Sequence, residues 1–411
     1  MKQAITAKLK LELSDDQKQL VRQTTLAYRD ALNYASLIAF ENNKMSSGVA
    51  LQKKVYSQLR SVYGLPSQMS CNVPRQVGAT YKSLWTKVKQ NAEAIKSGRT
   101  KRRYKGLDKA PKFVSRTCTL NYKRDYSFLK GMVSLVTLSG RIKVNYSGYN
   151  KHLELIKKGA KIGAAKIWYD KPKKNYYLLV SLSLEVPELK PEDLKQVKGI
   201  DVGQRFLAVV TNTQNRTLFF SGKQVRHKAN RYHKARKTLQ QKGTRSAKRR
   251  LISLSRRERR FTAEVNHMIS KQIVSPNTLI GLEDLKYIRE RIDRRSSKKA
   301  SRKQKLNNRN QASWSFAELH GYLDYKAVLS DSLAVKVPAQ YTSQCCPKCG
   351  HTSKQNRPNK GLMFICKACG HTLHSDLVGA RNIALRTLLL RQDFESTGRI
   401  SAVPINIFQG T

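Results

Sequence analysis

The sequence predicts an α+β protein of several domains: a helical segment, a β-rich segment that reads as a small barrel, and a strand-and-helix segment ending in a cysteine ribbon. Three observations carry this. The apolar period changes from about 3.6 to two near residue 112. Five of the seven cysteines fall between positions 345 and 369. Single acids stand inside apolar, strand-like runs, in a chain with 80 Lys+Arg, 27 Asp+Glu and a net charge of +53.

With 411 residues and 39% hydrophobic content, the chain can bury two or three cores. The charge calls for a polyanionic partner, and nucleic acid is the usual one. No apolar run approaches the ~18 residues of a membrane span. The start, MKQAITAKLKLELS, alternates and lacks a signal-peptide core. The expected location is the cytoplasm, with no membrane partner.

The first ten residues alternate like a strand. Ser14 and Gln17 then have capping-box spacing, and a helical pattern runs through Leu20, Val21, Thr24, Tyr28, Leu32 and Ala35. A second helix is predicted from about Ala50 to Tyr63, and a third after Pro74, through Val77, Tyr81, Leu84 and Val88. From about 112, TCTLNY, MVSLVTL, GRIKVNY, AKIWYD and NYYLLVSLSLEV read as strands, with a turn at 170–175. Adding the first strand to them makes residues 12–104 an insertion. PELKP (187–191) reads as a linker. The strand KGIDVGQRFLAVV follows, then a turn at 212–215 and the strand TLFFSG. Residues 223–260 carry sixteen Lys/Arg and one acid, Glu258, yet Leu239, Leu251, Leu254 and Phe261 recur as in long helices. Such helices either present a solvated face or lie along phosphates. LIGLEDL (279–285) is a short buried strand, 294–310 a basic loop, SWSFAELHGYLDYKAVLSDSL a helix and AVKVPAQYT a strand. The tail from 393 to 411 is expected to be disordered.

Three acids stand out. A period of two puts Gly199, Asp201 and Gly203 on one face and Ile200 and Val202 on the other. An acid beside glycines leaves room for a metal ion and a phosphate; the alternative is a carboxylate satisfied by a nearby arginine or amide. LIGLEDL repeats the arrangement. Periodicity leaves Glu283 and Asp284 both open, and analogy with Asp201 favours Glu283. Asp376, in HTLHSDLVGARNIALRTLLL, stands where Ser375 or Asp376 could also cap a helix. Three converging carboxylates would suit two Mg²⁺ ions about 4 Å apart.

Cys346, Cys349, Cys366 and Cys369 form two C-x2-C pairs, each followed by glycine. This is the ligand set of a structural zinc site closed by four thiolates. The CPKCG register favours Cys346 over Cys345, and His351, His371 and His374 are expected to be bystanders.

Together, GIDVG, LEDL, YTSQCCPKCG, FICKACG and HSDLVGARNI resemble the TnpB proteins of IS200/IS605-type transposons, ancestors of the Cas12 nucleases. WSFAELHGYLDYKA and LVTLSGRIKV fit as well, so the resemblance covers roughly 110 to 390. It implies an RNA-guided DNA endonuclease with an RNase H-like (RuvC) α/β nuclease domain. Catalytic Asp201, Glu283 and Asp376 would hold two Mg²⁺, and Cys346, Cys349, Cys366 and Cys369 one Zn²⁺. The implied domains are a β-barrel wedge (1–11 and 105–190) carrying a helical recognition insertion (12–104), a nuclease domain (191–340), a zinc ribbon (341–372) and a final nuclease helix (373–392). The implied partners are a guide RNA from the transposon end and double-stranded target DNA. One prokaryotic protein monomer would carry one RNA and associate with the nucleoid when acting. The protein would read a short target-adjacent motif, and base pairing the rest. After the last acid this chain reads DLVGARN, which makes Asn382 a candidate helper.

Two rivals share the charge and cysteines: a nuclease-inactive RNA-guided regulator and a non-enzymatic zinc-ribbon nucleic-acid binder. The first is disfavoured by three acids in place, and the second leaves Asp201 and Glu283 unexplained. A single-strand transposase would need a His-hydrophobe-His pair, which none of the eight histidines provides.

Overall fold

The computed structural model describes residues 2–285, 301–313, 315–358 and 362–397. These divide into two compact units, Lys2–Glu185 and the described residues from Val186 onward.

The first unit is built on a seven-stranded sheet: β1 (Lys2–Glu12), β2 (Thr117–Leu120), β3 (Tyr126–Phe128), β4 (Met132–Thr137), β5 (Gly140–Gly148), β6 (Lys161–Asp170) and β7 (Asn175–Glu185). Its order is β2-β6-β7-β1-β5-β4-β3, antiparallel throughout. The edge strands β2 and β3 are consecutive in the chain, and a Tyr122–Tyr126 bridge links them, so the sheet is nearly a closed barrel. β1 lies at its centre between β7 and β5. Its alternation buries Ala7, Leu9 and Leu11 and exposes Lys8 and Lys10.

Helices α1 (Asp15–Glu41), α2 (Gly48–Ser61) and α3 (Ser67–Lys96) lie between β1 and β2 in the chain. The Ser14/Gln17 capping box opens α1 with both reciprocal hydrogen bonds formed. Tyr28, Leu32, Val55, Leu59, Val73 and Val77 pack into one core with Leu120, Leu135 and Val180 of the sheet. The third helix starts seven residues before Pro74 rather than after it. Proline is favoured at a helix start, and inside a helix it deprives the carbonyl four residues back, here Ser70, of its donor. Pro74 is buried where α2 and α3 cross at glycines. A Cβ on Gly78 would meet the Gly48 nitrogen at 2.8 Å. The three-residue β3 and the short helix α4 (Asn150–Lys157), which buries no residue, left no period long enough to read.

The second unit holds a five-stranded sheet: β8 (Gln196–Asp201), β9 (Phe206–Asn212), β10 (Thr217–Ser221), β11 (Thr278–Glu283) and β12 (Leu333–Val337). The order is β10-β9-β8-β11-β12; the first three strands are antiparallel and the last two run parallel to β8. The 212–215 turn forms, with Asn215 at φ 61° and the Asn212 side chain accepting from the Gln214 and Arg216 amides. The basic stretch is helical: α5 (Lys223–Lys242), α6 (Arg245–Leu254) and α7 (Arg257–Ile273). Glu258 pairs with Arg236 at 2.5 Å. The predicted basic loop at 294–310 is helical from 302 onward, as α8 (Arg302–Ser313); its earlier part lies outside the described residues. Few apolar side chains mark α8, so a loop and a helix leave the same apolar pattern there. Then come α9 (Phe316–Val328) and, beyond a ribbon of β13 (Met363–Ile365) and β14 (Thr372–His374), the last helix, α10 (Ser375–Thr397). Residues 393–397, expected in a disordered tail, are helical, and Phe394 is buried with Leu194, Val197 and Leu279; 398–411 lie outside the described residues.

Both faces of the sheet are covered. Ile200, Val202, Ile280 and Leu282 point to one side, against Ile269 and Ile273 of α7 and Leu319 and Leu323 of α9. Gly199 and Gly281 point to the other, against α10. A Cβ on Gly199 would lie 2.2 Å from the Ala384 nitrogen and 2.3 Å from the Ala380 oxygen; one on Gly281 would lie 1.8 Å from Thr387 Oγ1. These glycines admit a helix backbone. Gly199→Ala is expected to destabilise the unit by about 1–3 kcal/mol or more, read as a lower urea midpoint. Gly321→Ala, exposed on α9 with nothing within 4 Å of the new methyl, is expected to stabilise by about 0.5–1 kcal/mol. Equal effects from the two would remove the packing argument.

Candidate metal centres

The three acids come from three elements of the second unit. Asp201 ends β8, Glu283 ends the adjacent parallel β11, and Asp376 lies in the first turn of α10. Parallel pairing matches Leu282 with Ile200, so both strands end on the same edge with their acids on the α10 side. The space that sequence reasoning assigned to a metal beside Asp201 is in part helix backbone: a Cβ on Gly379 of α10 would come 3.0 Å from Asp201 Cγ. Gly199 and Gly281 thus serve helix packing, which period and composition cannot distinguish from an open site, whereas a Cβ on Gly203 would meet only the Phe206 carbonyl, at 3.0 Å.

The carboxylates feel one another. Burial, then the charges of Glu283 and Asp376, push the Asp201 carboxyl well above the usual carboxylate range, with Arg357 opposing. Burial also raises Glu283, against a hydrogen bond from Thr342 and the charge of Arg386. Thr342 Oγ1 donates to Glu283 Oε1 at 2.9 Å. Asp284, the rival, faces the other way, towards His320 and Lys336. The Asp376 amide donates to His374 Nδ1 at 3.2 Å, so the imidazole holds the helix start. An all-oxygen set of repelling carboxylates, buried at Glu283 and half-buried at Asp201 and Asp376, suits a hard divalent cation, which would relieve that repulsion. Arg357 and Arg386 were missed in the sequence; nothing in a basic chain singles them out before the fold brings them near the acids.

The cysteines make the tighter cluster. Among the described residues, Cys346, Cys349, Cys366 and Cys369 form a group whose sulfurs all lie within 4.8 Å of one another. Cys346–Cys369 and Cys349–Cys366 Sγ distances are 3.7 and 3.6 Å. Four thiolates around one ion at a Zn–S distance of ~2.3 Å would stand about 3.8 Å apart. Each half is the same turn. The Gly350 amide donates to the Cys346 carbonyl and the Gly370 amide to the Cys366 carbonyl, at 2.9 and 3.0 Å. Both glycines have positive φ, 76° and 69°. Cys345 is outside the cluster, its thiol turned to the Gly350 carbonyl, and His351, His371 and His374 are outside it too.

Two asparagines bind the ribbon together. The fully buried Asn356 donates to the Gln344 and His351 carbonyls at 2.9 and 3.1 Å and accepts from the Lys367 amide at 3.0 Å, bridging the two turns. Asn382, the candidate helper, is buried and donates to the Thr342 and Cys345 carbonyls at 2.7 and 2.8 Å. It therefore anchors the segment that carries Glu283's hydrogen-bond donor and leads into the ribbon.

A mixed five-stranded sheet carries the three acids at one end of its strands and is joined to a four-cysteine ribbon. Residues 180–290 match a family described as "Probable transposase", and 316–383 match the Cas12f1-like TNB domain. Curated relatives agree. The chain is 26% identical over 242 residues to a CRISPR-associated endodeoxyribonuclease Cas12f1 of Sulfoacidibacillus thermotolerans, covering 54% of this chain and 53% of that one. It is 35% identical over 97 residues to InsQ of Escherichia coli (strain K12), named as an RNA-guided DNA endonuclease, covering 23% and 24%. It is 26% identical over 207 residues to the TnpB-like protein MJ0751 of Methanocaldococcus jannaschii, covering 47% and 70%. The chain thus spans about half the length of the first of these relatives and a quarter of the second. Among solved structures, a Cas12f1–sgRNA–target DNA complex matches with TM-score 0.57 at 15% identity, covering 89% of this chain and 81% of that one. The mini-RNA-guided endonuclease CRISPR-Cas_phi3 matches with TM-score 0.53 at 12% identity, covering 94% and 92%. The resemblance to the TnpB family carried by the motifs is borne out. Among the described residues, no helix is long and apolar enough to cross a membrane.

Cys346→Ser is expected to lower bound zinc, measured by metal analysis of the purified protein, and to cost several °C of melting temperature; Cys345→Ser should do neither. A second outcome concerns His320, which is buried with its Nε2 unpaired and held neutral, its pKa lowered to about 4 by burial and Lys336. The unfolded chain takes that proton below about pH 6.5, and the folded chain does not until about pH 4. Stability should therefore fall by roughly 2–3 kcal/mol across that window, and His320→Phe should flatten the fall.

Proposed function

We propose that the chain is an RNA-guided DNA endonuclease of transposon type, cutting DNA phosphodiester bonds after a guide RNA pairs beside a short target-adjacent motif. The observation that carries this reading is the convergence of Asp201, Glu283 and Asp376 on one sheet edge, in a chain of net charge +53. The sheet order, three antiparallel strands followed by two parallel ones, suits an RNase H-like (RuvC) domain with acids on its first strand, fourth strand and final helix. The nearly closed barrel with its helical insertion would then be the wedge and recognition parts, and the cysteine ribbon would hold a structural Zn²⁺.

In this reading Asp201, Glu283 and Asp376 hold two Mg²⁺ ions, which when bound supply an activated water and charge stabilisation for the leaving oxygen. Thr342 fixes the Glu283 carboxylate through its hydroxyl, and Asn382 holds the Thr342 backbone in place. Arg357 and Arg386 offset the charge of the acids. The basic helices α5–α7 neutralise backbone phosphates, which supplies affinity without sequence choice.

The test begins with expression alongside the native downstream DNA and sequencing of the co-purified RNA, where a discrete species extending beyond the gene is expected. Loaded with that RNA, the protein should cut a matching duplex, and Asp201→Ala should lower cleavage by at least about a thousandfold while leaving RNA and DNA binding within twofold. Undiminished cleavage by Asp201→Ala would remove the acids from the chemistry. Random host RNA alone would favour an unguided nucleic-acid binder.

A further inference from the structure

A cavity of about 370 Å³ lies within the second unit, away from the acid edge, among the 212–215 turn, the two cysteine turns and α10. It falls in the lower range of small-ligand sites, about 300–1,000 Å³. Three cationic or donor side chains from three segments line it: Lys348 of the first cysteine turn, His371 beyond the second, and Arg381 of α10. Among the described residues, no acidic one lines it. One nitrogen on each of two of them, His371 Nε2 and Arg381 Nε, is shielded from solvent and has no hydrogen-bond partner among the described residues. A shielded, unpaired polar nitrogen is costly, and native structures rarely keep two in one cavity without a ligand.

The remaining walls differ in kind. Leu385 and Leu388, one turn and two turns along α10 from Arg381, give an apolar wall, and Leu385 is 44% exposed. Opposite stand Asn212 and Asn215 of the turn. The Asn212 carbonyl oxygen is used by the turn amides, which leaves its amide nitrogen for a ligand. An anion-binding end, an apolar wall and an amide rim match the three parts of a nucleotide.

We infer that this cavity is a subsite for one nucleotide of a nucleic-acid strand, its phosphate held by Lys348, His371 and Arg381 and its base laid against Leu385 and Leu388. Because Arg381 and Asp376 share one helix, a strand seated here is held at a fixed distance from the acid edge. The inference concerns binding and stands whether or not the acids cut.

The shared chemistry is a phosphodiester-linked nucleotide, and its source is either guide RNA or a DNA strand. The test uses the full chain purified with its metal, with anisotropy titrations of a labelled single-stranded DNA and an RNA of the same sequence over a salt series. Arg381→Gln is expected to weaken binding of at least one polymer by at least about fivefold and to make its salt slope shallower by about 0.7. Leu385→Glu, which places a carboxylate on the exposed wall, should do the same, and it carries the test if Arg381→Gln lowers the melting temperature. Lys354→Gln, an exposed cation of the same ribbon that does not line the cavity, should change affinity less than twofold. Loss on DNA alone assigns the site to a DNA strand, loss on RNA alone to the guide, and loss on both to a backbone read without regard to sugar. No loss on either polymer, or a loss matched by Lys354→Gln, would overturn the subsite.

Discussion

Everything in the second unit depends on how closely α10 lies against the sheet. At Gly199 and Gly281 the helix takes up space that a single methyl group would claim. That contact puts Gly379 against the Asp201 carboxylate and Asp376 on the edge where Asp201 and Glu283 end their strands. A helix standing even an ångström further out would separate the acids and relieve their repulsion. The packing therefore holds together three groups that electrostatics would push apart, and the buried face of α10 supplies the favourable energy that opposes this. Such stored repulsion is what a divalent cation can release.

The cysteine ribbon is joined to that edge through polar contacts. Asn382 on α10 holds the carbonyls of Thr342 and Cys345, and Thr342 in turn donates to Glu283. A distortion of the thiolate cluster would thus reach Glu283 through one residue. This gives the four-cysteine cluster a mechanical role beside the acids. Two carbonyls satisfied by one buried amide also explain why an asparagine stands among Ile383, Ala384 and Ala380 on the helix's buried side.

Much of this was legible beforehand for specific reasons. The pleat of GIDVG put Asp201 on the face of Gly199 because strand periodicity is strict, analogy with it favoured Glu283 over Asp284 in LIGLEDL, and each C-x2-C-G turn is a local unit whose geometry its own residues set. Pro74 and the start of the tail were misread for a common reason, whereas α8 simply lacks an apolar pattern to read. Local propensity said break or coil, whereas tertiary contacts at the Gly48–Gly78 crossing, and of Phe394 with Leu194, Val197 and Leu279, supported helix.

What the sequence by itself determined is the set of local units: the capped first helix, the alternating strands, the paired cysteine turns and the identity of the acids. What only the tertiary structure decided is distance. Gly199 and Gly281 could have meant open space or close helix packing, since both need a missing side chain, and α10 made them the latter. Arg357, Arg386 and the unpaired nitrogens of His371 and Arg381 likewise gain meaning only from neighbours remote in the chain. In a sequence with 80 basic residues, charge marks the partner, and position alone marks the residues that meet it.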